Sequence, residues 1–164
     1  MWRWDWLEGI IRQNGWTSGA ELGVFKGDTF LHLLRTCPQL TLIGVDLWAE
    51  QPGVAGQEDK LGRDFDGLLK SIRAQTANMG DRARIIQGHT LEVADHIEDG
   101  SLDFVFVDAD HEASAVRADI MAWQSKLKPT GKMTGHDINW PSVLRVVSDI
   151  YPDFTIHSDN CWMQ

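Results

Sequence analysis

The sequence predicts an α/β fold in which a mostly parallel sheet carries helices on both faces and ends in a C-terminal antiparallel hairpin. Three observations predict it. Short apolar or alternating runs recur at Ala20–Val24, Leu40–Val45, Ala83–Ile86 and Leu102–Val107, each followed by a segment with helical spacing, the rhythm of strand, crossover helix and parallel strand. The last two candidate strands are close enough in sequence to pair directly. Length and composition suit one globular domain, with 164 residues, 43% of them hydrophobic and 24% charged.

The elements follow in order. Residues 1–16 hold four of the eight tryptophans and read as an amphipathic helix with Trp6, Leu7, Ile10 and Ile11 as its apolar face. The first strand is Ala20–Val24, with a helix beginning near Phe30, and the second is Leu40–Val45. A polar loop with Gly and Pro, Ala49–Lys60, comes next, then a helix with Leu61, Phe65, Leu68, Leu69 and Ile72 on one stripe. Strands Ala83–Ile86 and Leu102–Val107 precede a helix between His111 and Leu127, where Val116, Ile120, Trp123 and Leu127 align at spacings of four, three and four. Lys128 to Gly131, with Pro129, is expected to stop that helix before strand Lys132–Gly135. Pro141 opens another helix, with Val143, Leu144, Val147 and Ile150 as its stripe. Thr155–His157 and Cys161–Met163 form the hairpin, turning through Ser158, Asp159 and Asn160. The organisation is thus an N-terminal Trp-rich helical segment, 1–16, and one domain, 17–164. The tryptophans serve either as packing for the first helix or, with the 49–60 loop, as a closure over a ligand at the carboxyl ends of the strands.

Composition excludes several functions. A formal net charge of −9 and the lack of any Lys/Arg cluster argue against a nucleic-acid partner, which would require phosphate neutralisation. No stretch approaches the length needed to span a bilayer, so no membrane association is expected. MWRWDWLEG lacks the apolar core of a secretory signal, which leaves a cytoplasmic location as the expectation. Cys37 and Cys161 are too few for a disulfide framework and are read as free thiols. A small-molecule partner is the natural remainder.

The candidate site residues cluster at strand ends. The first strand runs into ELGVFKGDT, Glu21–Thr29, where Gly23 and Gly27 would let the backbone approach a ligand and the following helix would offer N–H groups to an anion. A branched side chain at Gly23 is expected to fill that ligand space and leave the domain folded. Phe25 stands where a dinucleotide fold would need its second glycine, and a purely structural turn is the other reading of the pair. Asp46, which is 23 residues beyond Gly23, closes the second strand where an acid can accept both hydroxyls of a ribose; otherwise it caps the next turn. The fourth strand delivers Asp108, Asp110 and His111 to the same edge, and the fifth delivers His136 and Asp137. Such a group must pair, cap helices or bind something. Asp110 or His111 as a helix cap and His136 as an interior histidine are the alternatives.

With these elements in place, the chain from about Thr17 to Met163 resembles the class I S-adenosylmethionine-dependent methyltransferases, whose domain is Rossmann-like. The resemblance is carried by E-x-G-x-x-x-G-x-T at Glu21–Thr29, Asp46, D-A-D-H at Asp108–His111 and L-K-P-x-G…G-H-D at Leu127–Asp137. It lies nearest the sugar O-methyltransferases, with the catechol type more distant. It implies that Glu21 and Gly23 approach the methionine part of S-adenosylmethionine, that Thr29 meets its carboxylate, that Asp46 holds the ribose, and that Gln87, Gly88 and His89 line the adenine, with Gly27 and Leu47 as further cofactor-binding residues. Metal-dependent members hold Mg²⁺ with carboxylates that match Asp108 and Asp137, and their general base falls at His111. Asp108 is thereby implicated in cofactor binding, metal binding and catalysis. Those relatives carry an acid or amide beside the second carboxylate, where this chain has His136 and Ile138.

The implied reaction is methyl transfer to a hydroxyl oxygen, with His111 taking the proton. The acceptor would be held by the 49–60 loop, by the N-terminal segment or by another subunit of a homo-oligomer. A non-catalytic cofactor-binding module and a nicotinamide-dependent oxidoreductase are the rival readings, and the missing G-x-G-x-x-G speaks against the second.

Overall fold

The computed structural model describes residues 1–54 and 61–164; the part of the 49–60 loop from 55 onward lies outside them. Among the described residues seven strands form one sheet: β1 (Ser18–Leu22), β2 (Thr41–Asp46), β3 (Ala83–Gln87), β4 (Leu102–Val107), β5 (Leu127–Gly135), β6 (Thr155–Ile156) and β7 (Trp162–Met163), in the order β3-β2-β1-β4-β5-β7-β6. β1 to β5 are parallel, and β7 runs antiparallel to both β5 and β6. This is the Rossmann-like sheet with the C-terminal hairpin that the alternation predicts. Its strand order reverses between β1 and β4, where open α/β sheets bind their ligands.

Alternating side chains divide the core into two layers. Leu42, Phe104 and Phe106 point to the face covered by α1 (Arg3–Asn14), α2 (Asp28–Thr36) and α3 (Phe65–Thr76). Ile43, Val45, Val105 and Val107 point to the face covered by α4 (Thr90–Ala94), α5 (Ala113–Gln124) and α6 (Pro141–Ile150). Both faces are covered, which is why the inner strands read as near-continuous apolar runs.

α1 buries Trp6, Leu7 and Ile11 as its spacing predicts, and Ile10 packs at the margin. The Asp5 carboxylate accepts the Trp2 N–H (3.0 Å), and the helix closes at Gly15 and Trp16, whose N–H groups reach the carbonyls of Arg12 and Ile11. Trp16 stacks on Phe104 at 5.5 Å and Trp6 on His157 at 4.8 Å, so these two tryptophans pack rather than face a ligand.

Four expectations are corrected. Leu127 does not belong to the helix stripe: α5 stops at Gln124, and Leu127 already pairs with Leu102 in β5. The Lys128–Gly131 segment is taken into the strand through a register shift between Leu102 and Phe104, an irregularity that tolerates the missing N–H of Pro129. Leu61 precedes α3, which starts after an Asp64 cap that accepts the Gly67 N–H (2.9 Å). Leu144 faces outward, and Val146 takes the inner position on α6.

The entry to the sheet hangs on Asp103. Its Oδ2 accepts the N–H groups of Thr17 (2.8 Å) and Ser18 (3.0 Å), and its Oδ1 accepts Lys128 Nζ (2.8 Å), tying β1, β4 and β5 together. Burial opposes its charge, but the bonds from Lys128, Thr17 and Ser18 outweigh this and hold the carboxyl below its ordinary pKa. A lowered carboxyl pKa gives stability that is present above the unfolded value and lost as pH falls through the folded one. Asp103→Asn is expected to cost about 1–3 kcal/mol at pH 7. In denaturant titrations the gap between wild type and variant should narrow as the pH falls below about 4.

Candidate active site

The five parallel strands end almost level. Leu22 pairs with Val45 and Val107, Val107 with Gly135, and Asp46 with Gln87. The backbone ladder continues just past the strands: Gly23 N–H donates to Val45 O (2.8 Å), Gly88 N–H to Asp46 O (3.0 Å), Asp108 N–H to Leu22 O (2.8 Å) and His136 N–H to Val107 O (3.0 Å). Residues that follow the ends are therefore presented side by side along one edge.

Gly23 divides that edge. Its φ of 90° is left-handed, and a Cβ there would be driven into the Asp108 carbonyl. The expectation that a side chain at Gly23 would fill ligand space is thus corrected: it would first strike the backbone at the end of β4. Two clefts open on either side, and Gly23 lines both. Gly27, with φ 83°, starts α2, and its missing Cβ faces Ile72 and Leu31 (3.2–3.3 Å) rather than either cleft. The structural-turn reading fits Gly27.

One cleft, of about 690 Å³, is lined by Asp46, Leu47, Gly88 and His89, with Phe65, Leu91, Ala115 and Ala118 as apolar walls. Asp46 accepts the Phe25 N–H at Oδ2 (2.8 Å) and the Trp48 N–H at Oδ1 (2.7 Å). It caps the following turn, as one reading had it, and also borders the cleft; each oxygen keeps acceptor capacity for a further donor. Gln87 is not among the residues that line this cleft, and its Nε2 donates to Leu47 O (3.2 Å). Asp119 lines the cleft from α5, its carboxylate accepting Thr90 Oγ1 (2.5 Å), and burial raises its pKa to about 6. Sequence reasoning missed it, although an acid in the Val116, Ile120, Trp123 stripe is itself a signal.

The second cleft, of about 760 Å³, is lined by Glu21, Thr29, Asp108, His111, His136 and Asp137, and by Arg3 from α1. Glu21 is buried, and its Oε2 has no partner among the described residues. Burial first, and then the nearby Asp108, push its carboxyl well above the ordinary range. A cation entering this cleft would relieve both costs.

His111 Nε2 lies 2.7 Å from Asp137 Oδ2, and its ring stacks on Trp140 at 4.6 Å and 8°. His111 does not cap α5; Asp110 makes the turn into that helix by accepting the Glu112 N–H (2.8 Å). Asp137, at φ 58°, has burial working against its charge, but His111 and His136 outweigh this and hold its carboxyl far below the ordinary value. His136 Nδ1 stands 3.1 Å from Asp137 Oδ1 and 3.6 Å from Asp108 Oδ1, close enough for ion pairing but without a hydrogen bond. Burial opposes its charge as well, but the two carboxylates win and raise its pKa to about 10. Ligand atoms of Asp108, His136 and Asp137 all lie within 4.8 Å of one another, so His136 offers a third donor that a reading confined to carboxylates left out.

Residues 20–138 match the family model described as a methyltransferase domain, and the chain belongs to that family. No curated protein matches it as a relative. Among solved structures it is similar to the O-methyltransferase from Bacillus cereus in complex with S-adenosylhomocysteine, at 15% identity over 98% of this chain and 79% of that one, with a TM-score of 0.66. The Podospora anserina methyltransferase PaMTH1, bound to S-adenosylhomocysteine, shares 13% identity over 98% of this chain and 76% of its own, with a TM-score of 0.69. The calicheamicin methyltransferase CalS11 shares 11% over 98% and 77%, with a TM-score of 0.72. The fold is that of the S-adenosylmethionine-dependent methyltransferases. Among the described residues no helix is long and apolar enough to cross a membrane.

Two predictions come from this geometry. Gly23→Ala is expected to lower stability by at least about 2 kcal/mol in thermal unfolding, because the new Cβ meets main chain rather than open cleft. For Asp119 the raised pKa means that the folded state holds its proton longer, so stability falls as pH rises from about 4 to about 6. Asp119→Asn should therefore be the more stable protein at pH 7, by roughly 3 kcal/mol at most. Its advantage over wild type should vanish below pH ~4 in the same denaturation series.

Proposed function

We propose that the protein transfers a methyl group from S-adenosylmethionine to a hydroxyl oxygen of a small molecule. The observation that carries the reading is the pair of clefts meeting at Gly23, one bordered by an acceptor carboxylate and the other by the buried Glu21 and the Asp137–His111 pair. Asp46 would take the ribose hydroxyls, with Leu47 beside it, and Gly88, His89 and Phe65 would enclose the adenine. Glu21 would take the ammonium of the methionine part, and Thr29 lies where its carboxylate would come.

When bound, S-adenosylmethionine supplies an electrophilic methyl on a sulfonium. The protein's task is to hold the acceptor oxygen in line with that methyl and to remove its proton. His111 would accept the proton, while Asp137, 2.7 Å from its Nε2, would fix the ring and stabilise the imidazolium. Trp140 restricts the ring from its flat side. Asp108, His136 and Asp137 would hold a divalent cation, Mg²⁺ or a metal more tolerant of a nitrogen ligand, only if it displaced the proton that the two carboxylates keep on His136, and the ion would then stabilise a developing oxyanion. Gln87 and Gly27 would act at one remove, through the Leu47 backbone and the α2–α3 packing. The buried thiols Cys37 and Cys161 support a reducing, cytoplasmic setting.

Calorimetry should find S-adenosylhomocysteine bound and NAD(P) not bound. Asp46→Ala should weaken binding by about tenfold or more, the loss of charge-assisted bonds. With small phenols and sugars as acceptors and S-adenosylhomocysteine release as readout, His111→Ala should lower kcat by roughly 10²–10⁴ with cofactor affinity kept. Chelation by EDTA followed by Mg²⁺ or Mn²⁺ tests the cation; full activity in EDTA removes it from the mechanism, and an unchanged His111→Ala rate removes the base.

A further inference from the structure

The family match begins at residue 20, so nothing in it accounts for Arg3, which reaches the second cleft from α1. The Arg3 backbone N–H donates to Asp159 Oδ2 (2.8 Å), which fixes the first turn of α1 against the β6–β7 hairpin. The Arg3 side chain then turns inward. Its Nε donates to Thr29 Oγ1 (3.1 Å) and stands 3.5 Å from Asp108 Oδ2. Its guanidinium carbon lies 5.9 Å from the centre of the Trp4 ring. Neither Nη nitrogen has a partner among the described residues.

Were Arg3 only a partner for Asp108, the guanidinium fork would face that carboxylate; instead a single nitrogen stands near it and the two outer nitrogens are left over. A planar fork with two unused donors matches the two oxygens of a carboxylate. The same cavity holds Glu21, buried and with one oxygen unpartnered among the described residues. A cation donor and an orphaned anion in one cavity complement a zwitterion, the ammonium and carboxylate of an α-amino acid group.

We infer that Arg3 is a further cofactor-binding residue: its guanidinium takes the α-carboxylate of the methionine part, beside Thr29, while Glu21 takes the ammonium. The inference rests on the reading of the site as an S-adenosylmethionine site and adds α1 to it as a working part. The outermost helix then contributes a ligand contact as well as packing, and ligand entry completes the pairing of groups that the protein alone leaves unmatched.

The test compares S-adenosylhomocysteine with its decarboxylated analogue, which keeps adenosine and amine but lacks the carboxylate. By calorimetry, Arg3→Ala should weaken S-adenosylhomocysteine at least about tenfold and leave the analogue within about twofold. Arg3→Lys, keeping charge without the fork, should lie between wild type and Arg3→Ala for S-adenosylhomocysteine alone. The backbone bond to Asp159 survives both substitutions, and unchanged unfolding temperatures should accompany the affinity loss. Equal weakening of both ligands would make Arg3 a merely structural residue and overturn the inference, as would unaltered S-adenosylhomocysteine affinity. Failure of the wild-type protein to bind S-adenosylhomocysteine at all would instead overturn the cofactor reading together with the inference.

Discussion

The backbone of Gly23 lies against the carbonyl of Asp108 because no side chain stands between them, and the arrangement of the site follows from this approach. It brings the turn after β1 and the turn after β4 into van der Waals contact at the point where strand order reverses. The same contact sets Glu21 and Asp108 along one cavity while Asp46 borders the other. Because the neighbouring strand ends are level, each turn has a fixed height above the sheet. A main-chain contact is stiffer than any pair of side chains, so the division into two clefts does not depend on rotamers.

The site is held together by unequal charge. Glu21, Asp108 and Asp137 line one cavity, and the cations nearest them are Arg3 and two imidazoles. Asp137 is hydrogen-bonded to His111 and ion-paired with His136, and Asp108 is approached by Arg3 and His136 at longer range. Glu21 alone has only distant compensation, and that asymmetry gives a cationic group a place to go. Carboxylates held by neighbours cost little to keep buried, whereas an unmatched one is retained where a ligand repays it.

Much of this was legible in the sequence. Period-two and period-four patterning is a local property of a strand or helix, so β1 to β4, the α5 and α6 stripes apart from Leu127 and Leu144, and the terminal hairpin could be read directly. The Lys128–Gly131 break was misread because proline and glycine stop a helix and also mark a strand irregularity, and only the partner strand decides between them. Strand-end acids such as Asp46, Asp108 and Asp137 were visible because topology fixes where a strand end goes. Arg3 was not, since its role depends on where a helix outside the alternation docks, and His136 gains its weight from two carboxylates distant from each other in sequence. Asp119 had left a local trace, an acid on an apolar stripe.

The bond from Arg3 to Asp159 joins residues 156 positions apart. Its acceptor sits in the hairpin that forms the far edge of the sheet, and that hairpin needs β5 to pair with. Closing so long a loop costs entropy that only an already assembled sheet can offset. α1 therefore takes its final position only once the sheet and its hairpin are assembled, as expected of a topology rich in contacts distant in sequence. Until the hairpin is in place, Trp6 lacks the His157 ring that stacks on it, and the apolar face of α1 is without part of its cover.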